Sequence, residues 1–180
     1  MDWNIELARA LDQQDEPALR RAASAGTAKT IRFLSGRLSS HNEQTKWKAV
    51  HSLGVVVGER HVISADRVRE LLRRFFWSLN DESGAVPFGV PEAIGEVLAV
   101  RTELQPEFLP MLCSLAYHPE LAQTGSIERG VFWALGRVGQ RAAACSPEAV
   151  QAVTLAAGQH PDPETRRVAA EAVRQLEPKA

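Results

Sequence analysis

The sequence has little of what usually announces chemistry. Only two of its 180 residues are cysteine, Cys113 and Cys145, with no CxxC or other metal-ligand spacing. Reduced thiols and a cytoplasmic setting are therefore the expectation. No sign of charge dominates, since 21 Lys and Arg stand against 22 Asp and Glu. Such a chain has no global field to draw nucleic acid or an anionic membrane, and nucleic acid is not expected as a partner. The apolar runs fall far short of the roughly 20 residues that span a bilayer, so no membrane is expected either. The opening stretch MDWNIELARALDQQDE is acidic and amphipathic, unlike the basic and then apolar pattern of an export signal. There is no GxSxG, no Walker loop, no HExxH and no DxDxDG-like calcium spacing. No metal or cofactor is expected, and an enzyme is not the leading reading.

What the chain does have is a repeat. KAVHSLGVVVGER (48–60), GVPEAIGEVLAVR (89–101) and GVFWALGRVGQRA (130–142) align without gaps. Their shared pairs, Leu53-Gly54, Ile94-Gly95 and Leu135-Gly136, are spaced by 41 positions, and so are the helix-start residues Ser64, Gln105 and Ser146. PETRRVAAEAVRQL (163–176) reads as a fourth copy with Arg174 in place of the glycine, and Asp15–Leu38 as a partial one. Each unit resolves into two helices. The first runs over about Ala65–Ser78, Pro106–Tyr117 and Pro147–Gly158, the second over about Pro91–Val100, Ile127–Val138 and Pro163–Leu176. Ser146-Pro147 and Asp162-Pro163 place a capping side chain before a proline at the first helical position. Ser39–Lys46 reads as a polar link, with Trp47 opening the second helix of the first full unit. Asp2–Gln13 reads as an amphipathic end-cap, and His118-Pro119 and His160-Pro161 as helix stops. A mid-helix glycine costs about 1 kcal/mol against alanine, so its recurrence implies that a neighbouring helix approaches closely. Helix pairs of this kind cannot bury their apolar faces alone and must share a core with their neighbours.

Two segments, Arg166–Val173 (RRVAAEAV) and Glu128–Gly136 (ERGVFWALG), carry an RRxAxxAL-like core. With the two-helix unit and its period, they make the chain resemble the HEAT-repeat family, including the HEAT-like repeats of phycobilin-lyase relatives. The resemblance covers about residues 15–177. It implies an all-α, right-handed α-solenoid of stacked antiparallel helix pairs, with about four to five repeats in a single domain of residues 1–180, of which 1–14 form a cap. It implies little about activity, because such arrays serve as scaffolds, lyases, nucleic-acid binders and assembly factors. The di-iron hydroxylases among them use His-Glu pairs, and none of the five histidines here precedes a glutamate.

The candidate site residues lie in two groups. His51, Glu92 and Trp133 share one repeat position, 41 residues apart, on the second helices that line the concave face in HEAT arrays. Arg129 and Arg137 share the last of these helices. The second group is the acidic connection around residues 80–92, with Asn80, Asp81 and Glu82, flanked by Trp77 and Phe88 and stiffened by Pro87 and Pro91. Arg69, Arg73 and Arg74 read as a basic solvent face. Buried tryptophan anchors with charged rims suit a protein interface. The expectation is thus a non-enzymatic interaction or assembly module with a protein partner. The alternative is a HEAT-like enzyme or nucleic-acid binder, of the bilin-lyase or DNA-glycosylase kind.

Overall fold

A computed structural model describes residues 3–79, 88–118 and 125–177. Among these the chain is all-helical: ten α-helices, one 3-10 turn and no strand. In chain order they are α1 (Trp3–Gln13), α2 (Glu16–Ser35), α3 (Glu43–Gly58), α4 (Ala65–Leu79), α5 (Val90–Val100), the 3-10 turn Thr102–Leu104, α6 (Gln105–Tyr117), α7 (Gly125–Val138), α8 (Gln140–Cys145), α9 (Pro147–Gln159) and α10 (Pro163–Leu176).

The starts of these helices follow from short-range hydrogen bonding. Asp15 accepts from the Ala18 amide, Asn42 from Thr45, Ser146 from Ala149 and Asp162 from Thr165, each meeting one orphan donor of a first turn. Asn42 corrects the expectation of a polar link up to Lys46. It starts α3 at Glu43, and Lys46 is a buried helical residue. The short helix α8 is a second departure. Gly139, at φ 73°, ends α7 and lets the chain begin another turn at once.

Helices α2, α4, α6 and α9 pack against α3, α5, α7 and α10 respectively, and the latter four contact one another in that order. One apolar core runs through them, from Leu7 and Leu11 on α1 to Ala172 and Leu176 on α10. The stacked rings of Phe76 and Phe108, 6.0 Å apart, join α4 to α6. Arg101 is buried but satisfied, its guanidinium donating to the carbonyls of Val57 (2.9 Å) and Ile63 (3.0 Å) and to Glu103 (2.6 Å). It pins the end of α3 to the end of α5.

The glycines explain how closely this row is packed. A Cβ at Gly95 would lie 2.5 Å from the Ala134 backbone on α7, and one at Gly136 would lie 2.8 Å from the Ala172 backbone on α10. Both are close helix approaches, as their place in the sequence implies. Gly54 differs: its neighbour is the Glu96 carboxylate at 2.6 Å, so the missing side chain houses a charge.

Candidate binding cleft

Four helices, α3, α5, α7 and α10, border a cleft of roughly 780 Å³. Its aromatic part is assembled by helical spacing. Trp47 and His51 lie four residues apart on α3 and therefore on one face. Their rings are near parallel, with centroids 5.9 Å apart. From α7, Trp133 meets Trp47 at 4.8 Å and His51 at 6.2 Å. Since α5 packs against both α3 and α7, the two tryptophans meet across it. Both remain half-buried, with ring surface facing the cleft.

On α5, two carboxylates lie beside this aromatic group. Glu92 is 4% exposed and Glu96 is 6% exposed. Oε1 of Glu92 is 3.5 Å from the Lys46 ammonium, which also reaches Glu43 at 3.1 Å and lies 5.1 Å from the Trp47 ring. Oε2 has no hydrogen-bond partner among the described residues. Room for it comes from Gly130, where a Cβ would sit only 2.6 Å away. Burial pushes the Glu92 carboxyl up to about 6, against the opposing pull of Lys46. Glu96 is held differently. Arg137 grips it with two bonds, Nε to Oε2 at 2.7 Å and a terminal nitrogen to Oε1 at 3.1 Å, and His51 Nδ1 lies 3.8 Å from Oε2. Burial raises the Glu96 pKa, but the combined effect of His51 and Arg137 is larger and leaves it below the ordinary carboxylate value.

The α10 side supplies self-paired charges. Arg167 bonds Glu164 at 2.7 Å, Glu171 pairs with Arg174, and Gln175 donates to Glu171. Arg129 reaches Asp162 at 3.5 Å, and His160 Nε2 lies 3.1 Å from Glu128.

Of the expected site residues, Glu92, Arg129, Trp133 and Arg137 line the cleft, while His51 lies beside it, in ring contact with Trp47 and Trp133 and near the Glu96 carboxylate that Arg137 grips. Glu92 is not solvated surface, and it belongs to the first turn of α5 rather than to a loop. Trp77 is 76% exposed on α4 and does not line the cleft. Asn80, Asp81 and Glu82 lie outside the described residues. The basic face of α4 is partly neutralised, because Arg69 and Arg73 both pair with Glu107 on α6. Sequence reasoning missed Lys46, Trp47 and Glu96 as site residues. The i, i+4 pair Trp47 and His51 was the one available signal, since it repeats the face already assigned to His51. A second, more apolar cleft of roughly 740 Å³ lies between α2 and α4, over Ile31, Leu71, Phe75 and Val90.

Chemically, the first cleft offers two indole faces and pre-paired rim charges, while the unpartnered oxygen of Glu92 lies beneath its surface against Gly130. Among the described residues no cluster of three or more His, Cys, Asp or Glu side chains could hold a metal ion. No helix of the described residues is long and apolar enough to cross a membrane. No protein-family model and no curated protein matches this sequence.

Proposed function

We propose that the chain is a HEAT-like, right-handed α-solenoid and acts as a non-enzymatic cytoplasmic interaction or assembly module. In this reading a protein partner docks in the α3–α5–α7–α10 cleft. The observation that carries it is the Trp47–Trp133 pair, half-buried in the cleft lining and ringed by charged side chains. Rigid aromatic anchors in a pocket, ringed by charges, are what a binding hot spot requires. The Gly54, Gly95 and Gly136 spacing supports the array, since each glycine faces the following helix of the row. His51, Glu92, Trp133, Arg129 and Arg137 are the contact residues on the cleft side. Trp77 and the acidic run Asn80–Glu82 form a separate candidate contact. The nucleic-acid alternative has less support: the charges lining the cleft balance, with Glu43, Glu92, Glu164 and Glu171 against Lys46, Arg129, Arg137 and Arg167.

Affinity capture from native lysate tests this, with three baits compared by mass spectrometry. They are the wild type, the α10 charge reversal Arg167→Glu/Glu171→Lys, and Asp81→Ala/Glu82→Ala. The reversal touches only exposed pairs within α10 and is expected to leave the fold intact, as circular dichroism of the variant checks. The expected result is a protein retained by the wild type and the loop variant but lost by the reversal. Loss from the loop variant alone moves the site to the acidic segment. Recovery of nucleic acid in place of protein overturns the reading.

A further inference from the structure

Cys113 and Cys145 are the only cysteines in the sequence and lie far apart along it. The fold brings them to one place. Cys113 is buried on α6, which packs against α8. Its thiol approaches the Ala142 carbonyl at 3.9 Å. That carbonyl also accepts from the Ser146 amide at 3.1 Å, so it marks the C-terminal turn of α8, the turn that carries Cys145. Cys145 is exposed at this end. The buried thiol thus faces the turn of α8 that carries Cys145. Burial first, and then the charge and hydrogen bonding of Cys145, push the Cys113 thiol up to about 12.

We propose that Cys113 and Cys145 form a reversible disulfide site whose oxidant is a small-molecule disulfide of the glutathione class. The exposed Cys145 is the entry thiol, because only it can be reached from solvent. Its thiolate attacks one sulfur of the oxidant, the oxidant's S–S bond breaks, and one thiolate leaves and takes up a proton. Cys113 then attacks the Cys145 sulfur, and its proton passes to the departing small thiolate. The mixed disulfide breaks, and the second small thiolate leaves and is protonated. Two protein thiols are oxidised to one disulfide and one small disulfide is reduced to two thiols, so atoms and electrons balance. The link ties α6 to α8, the short helix that follows α7 directly after Gly139.

The test incubates the reduced full chain with oxidised glutathione and reads intact mass and a non-reducing peptide map. The wild type is expected to lose two hydrogens, retain no glutathione and yield a crosslinked peptide joining residues 113 and 145. Cys113→Ala is expected to retain one glutathione on Cys145, and Cys145→Ser to stay unmodified. The peptide map of the wild type needs no variant to fold. A wild type that retains glutathione, links two chains together or does not react overturns the proposal. A melting temperature higher for the oxidised than for the reduced wild type is the second expected readout, since the crosslink restricts the unfolded chain.

Discussion

Glu92 and Glu96 stand one helical turn apart on α5, nearly equally buried, and their surroundings differ in kind. Both occupy space that a glycine leaves open, Gly130 for Glu92 and Gly54 for Glu96. Glu96 is fully engaged by a two-bond arginine grip with a histidine nearby. Glu92 has one ammonium at the edge of bonding distance, and its second oxygen has no partner. The difference teaches that burial alone does not set ionisation: two carboxyls of similar low exposure end with one depressed by its partners and the other, weakly partnered, raised to about 6. It also separates a committed group of side chains, His51, Glu96 and Arg137, from an uncommitted pair, Lys46 and Glu92.

The largest expected effect comes from removing Lys46, the one cation paired with Glu92 among the described residues. Lys46→Met should destabilise the fold by about 3 kcal/mol near neutral pH, because a buried carboxylate then stands without a partner. The deficit, read from urea unfolding, should shrink near pH 5, where Glu92 takes up a proton. Arg137→Met, the matching change at the other end, strands the equally covered Glu96 and should cost a comparable amount, but its deficit should persist to lower pH, because Glu96 takes up its proton only below the ordinary carboxylate value. Deficits that fade over the same pH range would erase the distinction.

The pH dependence of stability sharpens the comparison next. Because Glu92 is raised in the fold, the native chain holds that proton more tightly than the unfolded chain does. Its contribution is present below the ordinary carboxylate value and is lost as pH rises through about 6. Relative to Glu92→Gln, the wild type should therefore lose about 2 kcal/mol between about pH 4 and about pH 7. Glu96 is depressed and works in the opposite direction. Its contribution is present above the ordinary value and is lost as pH falls, so wild type relative to Glu96→Gln should weaken in acid. Parallel pH profiles for the two differences would contradict this assignment.

The smallest effects are expected at the glycines that make the room. An alanine Cβ at Gly54 meets the Glu96 carboxylate and Cγ, and one at Gly130 meets the Glu92 carboxylate and Pro91 Cβ, so a side chain must shift; one at Gly95 meets the backbone of Ala134, which cannot. Gly54→Ala and Gly130→Ala should cost about 1 to 2 kcal/mol in thermal unfolding, with helix propensity partly offsetting the clash. Gly95→Ala serves as the reference and should cost clearly more.

Much of the helical framework could be read from the chain because its signals are local. Asp162-Pro163 and Ser146-Pro147 start α10 and α9 where a capping side chain and a proline require. Helix α8 escaped notice because QRAAAC is only six residues long and its start depends on one positive φ at Gly139. The start of α3 escaped because HNEQTK looks like a solvated link, and nothing in a lone lysine announces burial. Regular spacing placed His51, Glu92 and Trp133 together, but it could not show that Glu92 would lie under cover in the space left by Gly130. That depends on which residue the next helix presents. Trp77 was drawn into the site by its acidic sequence neighbours, although α4 turns Val68, Leu71, Leu72, Phe75, Phe76 and Leu79 to the core and leaves Trp77 outside.

The most direct test of the cleft's two-ended construction is a carboxyl-carbon NMR titration that resolves Glu92 and Glu96 in the folded chain. The expected result is a Glu92 midpoint near 6, well separated from a Glu96 midpoint below the ordinary carboxylate value. Coincident midpoints in the ordinary range would show that the two carboxylates are not held differently, and would contradict the two-ended construction.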